Sequence, residues 1–193
     1  MQLIGTVAPD RPLLVLAVAE EAAHLGEDLP VLLTGMGKVN AATALATVLA
    51  SGPHPAEVIN LGTAGALRPG LDGRIHLIGT VLQHDLDTRV LRQLTGQSFG
   101  GPLTLAADGA VLATGDLFVS DHAARDRLAA AAELVDMEGY AVAAAAQRAG
   151  VPVRLVKYVS DEAGEGAAKA WRDSVDDCAV RLAAWVREQL AGR

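Results

Sequence analysis

Val135-Asp136-Met137-Glu138-Gly139-Tyr140 is a junction between two kinds of structure. Leu134 and Val135 read as the end of a strand, and the alanine-rich run Ala141 to Ala149 reads as a helix, because alanine is the best helix former. The carboxylate of Glu138 therefore sits at a strand-to-helix turn, at the carboxyl end of a strand, where ligands bind in open α/β sheets. Two readings are open. As a ligand group, Glu138 offers two acceptor oxygens to a vicinal diol such as that of ribose, with Met137 as a soft apolar surface for the sugar face. As a structural group, it only places negative charge at a helix N-terminus, where the dipole favours it. Taken alone, the stretch favours the second.

Working outward, the same arrangement recurs. Leu13 to Val18 reads as a buried strand, followed at once by Glu20, Glu21 and a short helix to about Leu25. Pro30 to Thr34 is a strand, then Gly35-Met36-Gly37-Lys38-Val39-Asn40 turns into a helix from about Ala41 to Ala50. That turn is neither a dinucleotide fingerprint, which wants a third glycine where Asn40 stands, nor a phosphate loop, which wants Ser or Thr where Val39 stands. Glu57 to Leu61 is a strand ending in a second small-residue turn, Gly62 to Leu67. Arg74 to Gln83 is a longer strand closed by His84-Asp85-Leu86-Asp87, a turn whose side chains bond locally rather than a metal site. A helical turn is expected over 88–94, a loop over Thr95 to Pro102, and a hairpin from 103–106 and 110–115 around Ala107-Asp108-Gly109. Phe118 follows in a loop, as a core residue or as a surface for base stacking. Asp121 caps a helix running to about Ala132.

Beyond the opening junction, Val153 to Val159 is a strand ending in Ser160-Asp161. A last helix from about Ala167 to Leu190 carries an apolar stripe of Trp171, Val175, Cys178, Leu182 and Val186. Strand, turn and helix alternate, which predicts a three-layer α/β/α fold: a central, mostly parallel mixed sheet covered by helices on both faces. One domain over 1–193 is expected at this length. Glu21, Glu138 and Asp161 would all stand at carboxyl ends of strands, an arrangement suited to chemistry on a sugar.

Composition narrows the classes. Hydrophobic residues make up 51% of the chain and aromatic residues 3%, so the core is built from Ala, Val and Leu. A net charge of −7 without a Lys/Arg cluster argues against a nucleic-acid partner. Cys178 is the single cysteine, which excludes an intrachain disulfide and a cysteine-based zinc site, and its place in the charged last helix predicts an inert thiol. No apolar run approaches the roughly 20 residues of a membrane helix. Arg11 and the apolar run from Leu13 to Ala19 imitate a signal peptide, but Asp10 and a strand-like segment over 2–8 precede them. A cytoplasmic protein is the simplest conclusion, and neither metal nor cofactor is expected.

Six segments together carry a family resemblance: Ala17-Val18-Ala19-Glu20-Glu21, Thr34-Gly35-Met36-Gly37-Lys38-Val39-Asn40-Ala41, Val58-Ile59-Asn60-Leu61-Gly62-Thr63-Ala64-Gly65, Thr114-Gly115-Asp116-Leu117-Phe118, Val135-Asp136-Met137-Glu138 and Val159-Ser160-Asp161. In this order they resemble the purine nucleoside phosphorylase and nucleosidase superfamily, most of all the 5′-methylthioadenosine/S-adenosylhomocysteine nucleosidases. The resemblance implies a nucleoside substrate, with Asp161 as general acid at purine N7, Ser160 positioning it, and Glu21 activating water. It implies Glu138 on the ribose hydroxyls, with Asp136 and Met137 beside it, and Phe118 and Val119 in the base pocket. Thr63, Ala64 and Gly65 would back sugar and base, Met36 would lie near the 5′ side, and Ala163 and Trp171 would complete the pocket. Related bacterial phosphorylases carry an arginine where this chain has Asn60 and lack a Glu at position 21, which points to water rather than phosphate as nucleophile. The family's usual hairpin is reduced here to Gly26-Glu27-Asp28, and Thr95 to Pro102 departs from its pattern for the 5′ pocket. Relatives assemble as dimers or hexamers, so a homodimer is expected. A futalosine-type hydrolase, a phosphorylase and a non-enzymatic binding protein are the alternatives on this scaffold.

Overall fold

The computed structural model describes residues 1–190; the last three residues of the expected domain lie outside the described part. In chain order the elements are β1 (Gln2–Ile4), β2 (Pro12–Leu16), β3 (Val31–Leu33), α1 (Lys38–Ser51), β4 (Glu57–Ala66), β5 (Ile75–Gln83), α2 (Thr88–Thr95), β6 (Leu103–Thr104), β7 (Ala110–Thr114), α3 (His122–Ala129), β8 (Leu134–Asp136), α4 (Gly139–Arg148), β9 (Val153–Asp161) and α5 (Ala167–Leu190).

The strands form one mixed sheet in the order β1-β3-β2-β4-β8-β7-β5-β6, with β9 paired to both β4 and β5. Parallel ladders join β2 to β3 and β4, β4 to β9, β5 to β7, and β7 to β8. The β1–β3, β4–β8, β5–β6 and β5–β9 pairs are antiparallel. Because β9 bridges β4 and β5, the strands β4, β8, β7, β5 and β9 close on one another, and the β2-β3-β1 arm extends from β4. The expected layers are present. Leu13, Val15 and Val58 pack under α1 and α4 against Leu45, Leu49 and Val142. Leu14, Leu16, Ile59, Leu61 and Val156 pack under α5 against Leu182 and Trp185. Residues alternate to opposite faces along a strand, so an unbroken apolar run is what a strand covered on both sides requires. No helix among the described residues is long and apolar enough to cross a membrane.

Three local expectations are corrected. Gly62 to Ala66 is not a turn but the second half of β4. Gly62 and Gly65 leave room for side chains from neighbouring elements there, and the pairing with β9 shifts register between Ala64 and Gly65. Segments β6 and β7 do not form a hairpin with each other; both pair with β5. The loop between them crosses the β5 backbone at Gly79, where a Cβ would meet Asp108 O at 2.7 Å. The segment after Glu20 is a run of tight turns rather than a helix, with Ala22 N–H bonded to Ala19 O at 3.1 Å and Leu25 N–H to Ala22 O at 3.1 Å. In α5, Cys178 and Leu182 of the expected stripe are buried, while Trp171, Val175 and Val186 are half-buried. Burial pushes the Cys178 thiol up to about 11, as an inert thiol requires.

Candidate active site

The carboxyl ends of β2, β4, β8 and β9 surround a cavity of about 250 Å³. Glu21, in the turns after β2, is buried. Its Oε1 accepts from Thr63 N–H and from Thr63 Oγ1, both at 2.8 Å, and Oε2 accepts from Ala17 N–H at 3.3 Å. A helix-dipole role is thereby set aside, because Glu21 points across the sheet to β4. Glu138 likewise does more than decorate α4. Its side chain makes no cap hydrogen bond, and Oε1 accepts from Gly37 N–H at 2.7 Å, on the turn before α1. Burial first, and then the charge of Asp136, push the Glu138 carboxyl up to about 8; Lys157 and the Gly37 N–H act the other way.

Asp161 ends β9. Its Oδ2 accepts from Ser160 Oγ and its Oδ1 from Ala163 N–H, both at 2.8 Å. Burial raises its pKa against these two bonds, which lower it. A buried acid of this kind can hold a proton for donation. Gly65 sits directly behind it: a Cβ there would meet Ala163 Cβ at 3.0 Å and Asp161 Oδ1 at 3.1 Å.

The carboxylates are balanced by Lys157, in the middle of β9, with 2% of its surface exposed. Its Nζ lies 2.8 Å from Asp136 Oδ2. Burial works against its charge, but Asp136, Glu138 and Glu21 outweigh burial and raise its pKa. Beside Gly62, a Cβ would meet Glu21 Oε1 at 3.2 Å and Lys157 Nζ at 3.3 Å. Buried charges persist only when paired, and here one cation is set among three acids.

The chain has relatives among known proteins. A sequence profile of the phosphorylase superfamily matches residues 22–191. The chain belongs to that superfamily. The 5′-methylthioadenosine/S-adenosylhomocysteine nucleosidase of Marinomonas sp. (strain MWYL1) is 31% identical over 191 residues, covering 86% of this chain and 82% of the relative. The nucleosidase of the same name from Bacillus thuringiensis (strain Al Hakam) is 30% identical over 182 residues, covering 80% and 77%. Within the superfamily the chain thus groups with nucleosidases, hydrolases of N-glycosidic bonds. The S-adenosylhomocysteine nucleosidase from Streptococcus pyogenes, solved in complex with 5-methylthiotubericidin, superposes with a TM-score of 0.82 at 25% identity, covering 96% of this chain and 98% of that one. A futalosine hydrolase mutant of Helicobacter pylori strain 26695 shares the fold, with a TM-score of 0.82 at 20% identity, covering 94% and 98%.

Against that superfamily frame, the cavity brings together Glu21, Met36, Thr63, Ala64, Gly65, Phe118, Val119, Asp136, Met137, Glu138, Ser160, Asp161 and Trp171. Ala163 stands apart from the wall: it is fully buried and serves Asp161 through its N–H, with a positive φ of 48°. Asp136 lines the cavity, but its carboxylate is spent on protein groups: Thr114 Oγ1 at 2.6 Å, Gly139 N–H at 2.8 Å and Lys157. Phe118 is 44% exposed at the mouth, so it is no core residue. Trp171 Nε1–H donates to Thr63 Oγ1 at 2.9 Å, which links α5 to Glu21. Lys157 is the residue that sequence reasoning missed. Its signal was a lysine inside the otherwise apolar run Leu155-Val156-Lys157-Tyr158-Val159.

Two loops of the site are held as one piece. Lys38 N–H donates to Asp116 Oδ1 at 2.7 Å, Asp116 N–H donates to Asp85 Oδ2 at 2.9 Å, and Lys38 Nζ bridges Gln83 Oε1 and Asp85 Oδ1. Only part of the turn after β5 therefore bonds locally. Asp87 caps α2, accepting from Val90 N–H at 2.9 Å, whereas Asp85 reaches the loops that carry Met36 and Phe118. Among the described residues no group of three His, Cys, Asp or Glu is placed to share a metal ion.

Proposed function

We propose that this protein hydrolyses the N-glycosidic bond of 5′-substituted adenosines, such as 5′-methylthioadenosine and S-adenosylhomocysteine, and releases adenine. The observation that carries the proposal is the convergence of Glu21, Glu138 and Asp161 on one cavity from three strand ends. Asp161 gives its proton to N7 as the C1′–N9 bond breaks. The ribosyl ring becomes cationic and the surrounding carboxylates stabilise it, being fixed where the charge develops. Water adds to C1′ and Glu21 takes its proton. Glu138 accepts hydrogen bonds from the ribose hydroxyls, with Met137 against the sugar.

Water is preferred to phosphate on electrostatic grounds. Lys157 is committed to Asp136. Asn60, where related phosphorylases carry an arginine, is buried and donates from Nδ2 to Val15 O at 3.0 Å. A futalosine-type hydrolase is the second reading, favoured by the shared fold of the Helicobacter pylori enzyme. The protein works as a homodimer in the cytoplasm on this reading. Met36, Leu117 and Phe118 leave an exposed apolar rim at the mouth for a second copy to cover.

Chromatographic detection of free base tests the proposal. Methylthioadenosine, S-adenosylhomocysteine, adenosine, inosine and futalosine are each incubated with and without phosphate. Adenine from the first two without phosphate is the expected result. Preference for futalosine supports the second reading, and release only with phosphate refutes both.

A further inference from the structure

Helix α5 turns one stripe to the cavity. Ala168, Trp171 and Arg172 line it, at the three- and four-residue spacing of a single helical face. Trp171 is pinned there by Thr63, which also bonds Glu21. Arg172 is exposed, and among the described residues its guanidinium makes no hydrogen bond and no ion pair. The rest of the cavity wall carries Glu21, Asp136, Glu138 and Asp161, and Asp136 is paired with Lys157. Such a wall offers a substrate carboxylate no cationic partner, so a cation at the entrance is the group that would meet it.

We propose that Arg172 is a specificity residue which receives a carboxylate carried by the 5′ substituent, at the mouth of the cavity beyond Trp171. The inference rests on the nucleosidase reading and names the substrate class within it: nucleosides whose 5′ chain ends in an acid. Asp161 and Glu138 are buried and take the base and the ribose. The remaining part of the substrate leads outward, where Met36 is 46% exposed and Arg172 stands. A guanidinium presents a planar fork that matches a carboxylate, and it is weakly hydrated, which suits a contact half in water. A neutral substituent leaves Arg172 in water at no cost, so the residue adds a preference without excluding neutral substrates. Inorganic phosphate is the other oxyanion an arginine could take, and the test separates the two.

The experiment uses 5′-(carboxypropyl)thioadenosine and 5′-butylthioadenosine, which differ by a carboxylate against a methyl group. Their kcat/KM is measured for the wild type, R172A and R172K at low salt, with and without phosphate. R172A is expected to lower the acid-to-alkyl ratio roughly five- to tenfold, through KM, with turnover of the butyl compound unchanged. R172K retains part of the preference, and salt erodes it in the wild type. An equal ratio in wild type and R172A overturns the proposal. So does a phosphate-dependent rate that R172A abolishes, because Arg172 would then be a phosphate site. Calorimetric affinities for the same two compounds read the preference even without turnover, so failure of the nucleosidase reading is seen separately.

Discussion

The Glu138 carboxyl departs far from its ordinary form. In the unfolded chain it ionises near its ordinary value of 4.5, and in the fold its carboxyl is pushed up to about 8. A raised folded value means the folded state holds the proton longer than the unfolded state. Stability is therefore drawn down as pH rises from 4.5 to about 8 and changes no further above that. Asp136, Lys157 and Glu21 are the charged groups facing it. E138Q removes the ionisable group while keeping an acceptor for Gly37. Its melting temperature should exceed that of the wild type by more at pH 8 than at pH 6, with about 2–4 °C for each kcal/mol at this chain length, while activity falls. An offset equal at both pH values, read by thermal melts, would show that burial of the charge is not the cause. Glu138 was legible in the sequence as a carboxylate at a strand end. Its partner was not, because Gly37 lies 101 residues away and only the fold brings it near. Lys157 was passed over for the same reason: inside a strand it reads as one more residue of a ladder, and its meaning comes from three acids on two other segments.

At the scale of elements, β4 organises the site. The sequence alone reads Gly62 to Leu67 as a turn, since glycine-rich runs usually mark one. Here the glycines serve close approach instead, and the strand continues with a register shift beside the cavity, as bulges near functional sites do. Gly65→Ala tests that account. The added Cβ would press on Ala163 Cβ at 3.0 Å, Asp161 Oδ1 at 3.1 Å and Val135 Cγ1 at 3.2 Å. We expect a cost of about 1–3 kcal/mol in stability and a fall in kcat of about ten- to a hundredfold through displacement of Asp161. An unchanged kcat would mean that Asp161 has room to move, contrary to the packing. The missed pairing of β6 and β7 has a similar origin. A turn signal at Asp108-Gly109 is local, but the glycine is needed where the loop crosses Gly79 of β5.

At the scale of the molecule, the α/β alternation was legible because helices and buried strands differ in period and composition. Closure of the strands through β9 was not, since two ladders on one strand are long-range facts. The proposed dimer is argued from the surface: Leu117, which lines the cavity, is 71% exposed, and a second copy over that rim would dry the site. Sedimentation in solution should give twice the chain mass of 19.9 kDa, and a monomer at micromolar concentration would refute the dimer. The central claim is that Asp161 drives base departure with water as nucleophile. Adenine release from methylthioadenosine in phosphate-free buffer, wild type beside Asp161→Asn, tests it most directly. The account predicts steady release by the wild type and a loss of at least about 10²-fold in the variant, with both proteins melting cooperatively. Equal rates in the two, or a wild-type rate that appears only when phosphate is added, would contradict it.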